Sequence, residues 1–302
     1  MKADTSLSDL QHRIGAGGLL AVRLEDGDIR LTGIDGDTVS VAASRHGPHG
    51  LTIERGDGSV SITTGAGPTP DDLSIEVPSA ATVVVESRSG DITAEGLKGD
   101  VRITTASGDV TIRDAGGTLA IEAVSGDVEV AAVADLAVDA RTVSGDLDVR
   151  AGLLRRANLT TTSGDLAIDA AFADAGAFVV ETVSGDTTVE SRSPVRVEAT
   201  TLTGDVQGPS AGGRDDRPRG TVVVGSTTGA TITFRSTSGD LALRVRDDST
   251  SDVARVPDTA PAPAKEVDPT LDVLRALERG EIDVAEATER LAALESEGDD
   301  RA

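Results

Sequence analysis

The 302-residue sequence contains no cysteine, tryptophan or tyrosine and a single methionine, and its aromatic residues are Phe172, Phe178 and Phe234 alone. The missing cysteine excludes disulfides, thiolate metal sites and thiol nucleophiles. The near-absence of aromatic bulk excludes a thick core built on large rings and predicts a thin one, tiled by Val, Ile, Leu and Ala, of the kind stacked repeats have. It also removes the platforms on which bases and sugars stack. Positive charge is scarce: 28 Lys+Arg against 52 Asp+Glu give a formal net charge of −24. Such a surface repels nucleic acid and anionic membranes, so neither is an expected partner. Only Lys2, Lys98 and Lys265 are lysines. No apolar run approaches the length of a membrane span, and Met1-Lys2-Ala3-Asp4 is not followed by the apolar segment of a secretory signal. The expectation is a cytoplasmic protein without membrane insertion.

What the chain has in quantity is glycine, 34 residues, much of it in one recurring tripeptide. Ser-Gly-Asp is centred on Gly90, Gly108, Gly126, Gly145, Gly164, Gly185 and Gly239, with Thr-Gly-Asp at Gly204 and Lys-Gly-Asp at Gly99. From Gly90 to Gly204 the steps are 18, 18, 19, 19, 21 and 19 residues. Self-similarity at a fixed period signals a repeat architecture. After each Asp, apolar residues fall at the first and third positions, as in Val110/Ile112, Val128/Val130, Leu147/Val149, Leu166/Ile168 and Leu241/Leu243. That alternation marks half-buried strands, and Ser, Gly and Asp are turn formers. Most copies are preceded by an apolar residue or Thr: Ala106, Val124, Val143, Thr162, Val183, Leu202 and Thr237.

The fold class is therefore all-β: a β-solenoid (β-helix) of coils of about 19 residues, each with two strands and two turns. Val110, Val128, Leu147, Leu166 and Leu241 are expected in one inward column. Seven or eight coils are expected between residues 82 and 247, about 4.8 Å apart; a β-sandwich is the competing architecture. Thr187 and Gly208 stand where the pattern asks for apolar residues, and Pro209–Gly220 breaks the rhythm as an inserted loop. Residues 1–81 read as degenerate coils and an N-terminal cap. Within them, Asp26-Gly27-Asp28 and Asp35-Gly36-Asp37 look like hairpin turns.

From 248 to 267 the Pro-, Ala- and Ser-rich sequence predicts a flexible linker. Residues 268–297 then change to a helical period. Asp268-Pro269 is an N-cap with Pro at the first helical position, and Gly280 suits a left-handed stop. Asp283 with Glu286 caps a second helix. The expected α-helical hairpin carries Leu271, Leu274 and Leu277 on one helix, and Val284, Ala287, Leu291 and Leu294 on the other. Two helices of about ten residues cannot bury these faces alone. Leu271, Leu274, Leu277, Leu291 and Leu294 are thus the candidate interaction residues, for self-association or a protein partner, with packing inside the chain as the alternative.

The stretch Glu76-Val77-Pro78, Val83-Val84-Val85-Glu86, Ser89-Gly90-Asp91-Ile92, Gly96-Leu97 and Ser107-Gly108-Asp109-Val110 resembles a bacterial family of β-strand repeats designated "putative adhesin", a domain of unknown function. The tail from Leu271 to Leu294, with its Leu-Glu-Arg-Gly-Glu-Ile-Asp-Val-Ala-Glu-Ala core, is similar to the SHOCT-like short C-terminal segment that accompanies that domain. The resemblance implies a β-solenoid, no catalytic residues and, in some relatives, envelope roles.

Candidate chemistry is sparse. Asp91, Asp109, Asp127, Asp146, Asp165, Asp186 and Asp205 should stack along one edge. A calcium site there would need the paired glycines of a nonapeptide β-roll, which are missing, so each is read as a turn Asp accepting its own turn's backbone N–H bonds. His46-Gly47-Pro48-His49 offers two imidazoles, with His12 the only other histidine, which is too few for zinc. Gly15-Ala16-Gly17-Gly18 lacks the lysine of a phosphate loop. No cofactor, metal or catalytic residue is expected. The functional reading is a non-enzymatic scaffold or interaction module. The alternatives are a carbohydrate-active β-helix enzyme, for which basic and aromatic residues are lacking, and an envelope-associated adhesin.

Overall fold

The computed structural model describes residues 10–43, 50–65, 72–209 and 221–246. The segment expected to form a helical hairpin with its five leucines, the expected linker before it, His46, His49 and most of the expected Pro209–Gly220 insertion lie outside the described residues. Among the described residues, 21 strands belong to one sheet, which winds into coils. Each coil contributes one strand to a first run and one to a second, and both runs share one apolar core.

The regular part is built from β8 (Thr82–Ser87) and β9 (Ile92–Glu95), β10 (Asp100–Ser107) and β11 (Val110–Arg113), and β12 (Gly117–Ser125), followed by the long β13 (Val128–Ser144), β14 (Leu147–Ser163) and β15 (Leu166–Ser184), and then β16 (Thr187–Ser191). Coil lies on coil in parallel register, Val110 opposite Val128, Val128 opposite Leu147 and Leu147 opposite Leu166. The inward column continues through Thr187 to Leu241, and all six are at most 2% exposed. The architecture is solenoid-like, with the expected residues in one column rather than in separate cores.

Three features depart from the sequence reading. In the central coils the second corner is a bend within one long strand, with register shifts between Ala132 and Asp135 and between Ala151 and Leu153. No cluster of turn formers sits there, so the strand bulges rather than ends. Asp26-Gly27-Asp28 and Asp35-Gly36-Asp37 are not hairpin turns. The strands around them, β2 (Leu19–Leu24), β3 (Asp28–Ile34) and β4 (Thr38–Ala43), pair with other elements. The hairpin in this region joins β5 (Leu51–Gly56) to β6 (Ser59–Thr64) through Asp57-Gly58, a two-residue Asp-Gly loop that is itself a strong turn signal.

The third departure is the order of coils. β2 lies between β6 and β8, and β3 lies between β7 (Asp72–Pro78) and β9. The first coil in sequence is therefore second in space. At the other end, β20 (Ala230–Ser238) and β21 (Leu241–Val245) lie between β15–β16 and the coil of β17 (Val195–Thr203) and β18 (Val206–Gln207). The last coil in sequence is second to last in space. Both outermost coils are also gripped from their far side by antiparallel strands: β4 on β7, with β1 (Leu10–Arg13) beyond it, and β19 (Thr221–Gly225) on β17. These reversed strands cover edges that a parallel stack would leave open for end-to-end growth.

The apolar tiling of the core changes at the phenylalanines and at several buried hydroxyl residues, among them Thr142, Thr161, Thr182 and Thr187. Phe172 and Phe178 meet edge to face at 5.0 Å, with Phe178 stacked between Ala157 and Ile232 in register. Phe234 lies between Val180 and Ala199, so a small neighbour offsets a large one and coil spacing is kept. Thr187 is 1% exposed and its hydroxyl has no hydrogen-bond partner, which is costly in an apolar column.

Two stability predictions follow from this packing. Gly145 has φ +134°, and a Cβ there would lie 2.1 Å from the Gly126 carbonyl oxygen, whereas a Cβ on Gly17 meets nothing within 4 Å. Gly145→Ala should destabilise by about 1–3 kcal/mol or more, while Gly17→Ala should stay within about 0.5 kcal/mol, both read as shifts in denaturation midpoint. Thr187→Val, which removes the unpaired hydroxyl and keeps the shape, should raise stability by about 1 kcal/mol; a loss would show that the hydroxyl has a partner in solution.

Candidate functional site

The repeated turns form a continuous ladder along one edge of the solenoid. Each Asp main-chain N–H donates to the Oδ1 of the Asp in the adjacent coil. In spatial order the bonds link Asp28, Asp91, Asp109, Asp127, Asp146, Asp165, Asp186, Asp240 and Asp205, at 2.8–2.9 Å throughout. Between the same turns, each Asp carbonyl accepts from the residue after the neighbouring Asp, as in Val110 N–H to Asp127 and Val128 N–H to Asp146. The glycine N–H donates to the Ser or Thr carbonyl of the next turn, as in Gly126 to Ser144. Glycine is required because the chain rises to positive φ and passes against the glycine carbonyl of the adjacent turn.

This assigns the tripeptide. The sequence reading places the Asp residues in one column, and they are there. It expects them to serve their own turns; they serve the neighbouring coil instead. It also runs the column from Asp186 straight to Asp205, whereas Asp240 stands between them, and it omits Asp28, whose Asp-Gly-Asp turn carries the same glycine and second Asp. Carboxylates about 4.8 Å apart repel by about 1 kcal/mol per neighbouring pair in water before salt screening. The bond each accepts offsets part of that. Among the described residues no group of three or more His, Asp or Glu side chains has metal-holding geometry.

Beside the ladder runs a second row, made by the residue before each tripeptide. Val124, Val143, Val183 and Leu202 are about half-exposed or more. The row is one residue wide, which offers contact but little area.

The outer face of the second run carries charge. Arg150 pairs with Asp148 at 2.5 Å and Glu129 at 3.4 Å, Arg192 with Asp169 at 3.2 Å, and Arg244 with Glu190 at 3.1 Å, with Arg246 also on Glu190. Arg192 further donates to the carbonyl oxygens of Ala151 and Asp169, tying three coils at one corner. A shallow depression of about 230 Å³ lies over Asp148, Arg150, Asp169 and Glu190. Burial pushes the Asp148 carboxyl up, with Glu129 and Asp169 adding to the shift and Arg150 opposing it. A raised folded-state pKa means that ionised Asp148 opposes folding, and that this cost fades as pH falls through its folded pKa. A larger depression of about 490 Å³ near the N-terminal end is bordered by Asp28, Arg30, Asp72 and Asp91. On the first run, Arg23 holds Glu86 below the usual carboxylate range through a 2.6 Å bond. Several of these charges are joined across neighbouring strands, which helps to fix the outer faces.

The expected interaction residues Leu271, Leu274, Leu277, Leu291 and Leu294 lie outside the described residues. Among the described residues no helix is long and apolar enough to cross a membrane.

Residues 17–157 match the domain family described as Toastrack DUF4097, a domain of unknown function. No curated protein matches the chain. Solved structures to which the chain is similar include a putative adhesin from Bacteroides fragilis, 11% identical, covering 79% of this chain and 98% of that one, TM-score 0.46. A putative adhesin from Parabacteroides distasonis is 13% identical over 79% of this chain and 98% of its own, TM-score 0.30. A putative cell adhesion protein from Clostridium sporogenes is 11% identical over 79% and 99%, TM-score 0.26.

The ladder predicts different effects for two changes at one turn. Asp127→Asn keeps an acceptor oxygen for the Asp146 N–H and removes one repelling charge, so stability should be unchanged or higher at low salt. Asp127→Ala removes the acceptor and should cost about 0.5–1.5 kcal/mol. Chemical denaturation at two salt concentrations reads both, and equal losses for the two variants would show that the acceptor is not what the turn uses.

Proposed function

We propose that this chain, whose residues 17–157 match the Toastrack DUF4097 domain, is a non-enzymatic scaffold: a stiff solenoid that carries the C-terminal segment and presents it for self-association or for docking a protein partner. The observation that carries the reading is the unbroken ladder of turns from Asp28 to Asp205. Each coil is bonded to the next through backbone and side chain at the same edge, so the body is one cross-linked unit. Several of its outer charges are paired between neighbouring strands. An enzyme needs a concave place where unpaired groups converge on a substrate. Apart from the two depressions, of about 490 and 230 Å³, the described surface offers rows, which suit a support more than a reaction site.

The leucines at 271, 274, 277, 291 and 294 supply the recognition in this reading. Their periodicity gives two apolar stripes too short to be stable alone. The Pro- and Ala-rich stretch from 248 to 267 would tether them at a high local concentration for docking or self-pairing. A cytoplasmic setting, with neither nucleic acid nor membrane as partner, completes the proposal.

The test compares the full chain, residues 1–247, and the double variant Leu274→Asp with Leu291→Asp. Light scattering should give the full chain a larger mass than the other two, or affinity capture should recover a partner with the full chain alone. β-type circular dichroism should be equal in all three. A full chain that is monomeric, with the same captured proteins as residues 1–247, would overturn the assignment of recognition to the tail.

A further inference from the structure

The displaced last coil is held in a slot whose two walls match each other. β20 pairs on one side with β15, with Ile232 opposite Phe178 and Ser238 opposite Ser184. On its other side it pairs with β17, with Ile232 opposite Val197 and Ser238 opposite Thr203. β21 stands in the same way between Thr187 of β16 and Val206 of β18, both opposite Leu241. Removing β20–β21 would therefore leave two walls in register: Phe178 facing Val197, Ser184 facing Thr203, and Thr187 facing Val206. The turn chemistry also matches. Asp240 donates to Asp186 and Asp205 donates to Asp240, and Gly185 donates to Ser238 as Gly239 donates to Thr203. With the coil absent, Asp205 would meet Asp186, and Gly185 would meet Thr203, through the same bonds.

The connection permits this closure. Between β16 and β17 the chain has Arg192-Ser193-Pro194, which carries it past the inserted coil, about two strand spacings or 9.6 Å. Between β11 and β12 a corner of equal length, Asp114-Ala115-Gly116, makes an ordinary single step. A single step from β16 to β17 thus needs no longer linker than the one present.

We infer that the β17–β18 coil is a flap with two positions: closed directly on β15–β16 when the slot is empty, and open with β20–β21 inserted. The native state is the open, filled one, because insertion buries Ile232, Phe234, Leu241 and Leu243 and pairs the new coil on both edges. The closed position is the one available first. Residues 195–207 precede 230–245, and chains begin to fold from their N-terminal side during synthesis. Filling the slot then adds β20 on one side of β17 and β19 on the other, so residues 221–245 grip the flap from both edges. The element that locks this end is also the one joined to the C-terminal segment. This inference stands apart from the role proposed for the tail and does not depend on it.

The absence of native cysteine allows a direct test with the full chain. Thr188, Ala242 and Gln207 follow one another across β16, β21 and β18 at equivalent outward positions. In the native order Thr188 and Gln207 are two strands apart, beyond the reach of a disulfide, whereas Thr188 and Ala242 are neighbours. Three double variants are refolded from denaturant with pulses of oxidant: Thr188→Cys/Gln207→Cys, Thr188→Cys/Ala242→Cys, and the control Thr93→Cys/Glu129→Cys. The control pair is also two strands apart, across β11, where no coil is displaced. Reduced variants are first checked for unchanged circular dichroism and thermal midpoint. The shorter loop alone favours the 188–207 cross-link over the control about threefold. The inference expects an early 188–207 yield clearly above that ratio, declining as the 188–242 yield rises. A 188–207 yield at or below threefold over the control at every time would overturn it.

Discussion

One contact sets the terms for this molecule: a glycine at positive φ lying against the glycine carbonyl of the adjacent turn, with the next residue's N–H bonded to the neighbouring Asp Oδ1. Because the bond is between coils, the identity of each turn is dictated by its neighbours. Once one turn has Gly-Asp, stacking asks for Gly-Asp in the next, and the tripeptide recurs. Coil length at the second corner is free to vary, from 18 to 21 residues between glycines, because bends there are absorbed by bulges in β13 to β15. One edge is strict and the other tolerant, and the strict edge holds the inward columns in register.

The same constraint explains the scarcity of large side chains. Coils held at strand spacing leave each inward residue about 4.8 Å from its equivalents, and Val, Ile, Leu and Ala fill that space. Phe178 and Phe234 enter where a small residue, Ala157 or Ala199, lies alongside, while Phe172 stacks on Leu154 and meets the Phe178 ring edge to face. The outer faces have no such limit, and there the chain places its charge, with many of the arginines bridging carboxylates on adjacent strands. Those exposed pairs contribute little individually; their effect is to spread positive charge over an acidic surface.

Stacking has a cost at the ends, where strand edges would remain unpaired. This chain meets it twice with one device. β3 and β4 hold β7 between a parallel and an antiparallel partner, and β20 and β19 hold β17 in the same way. In each outermost coil one strand, β7 or β17, is fixed on both edges, and the strand beyond it is reversed. The device displaces the first and last coils from their sequential places, which gives each end a chain order different from its spatial order.

The sequence by itself determined the turn, the alternation and the column, since Gly-Asp chemistry and period-2 patterning are local and Val110, Val128, Leu147, Leu166 and Leu241 could be aligned by their distance from a glycine. It also signalled the interruption after Gly208 and contained the Asp57-Gly58 hairpin for a closer reading. What it could not determine was which coil lies beside which. Phe178 pairs as well with Val197 as with Ile232 by any local measure, and Asp186 as well with Asp205 as with Asp240. Only the tertiary structure decided that order, because the choice rests on a non-local sum: pairing both edges of the terminal coils, and burying Phe234 and Leu241, outweighs the shorter loop of the sequential arrangement.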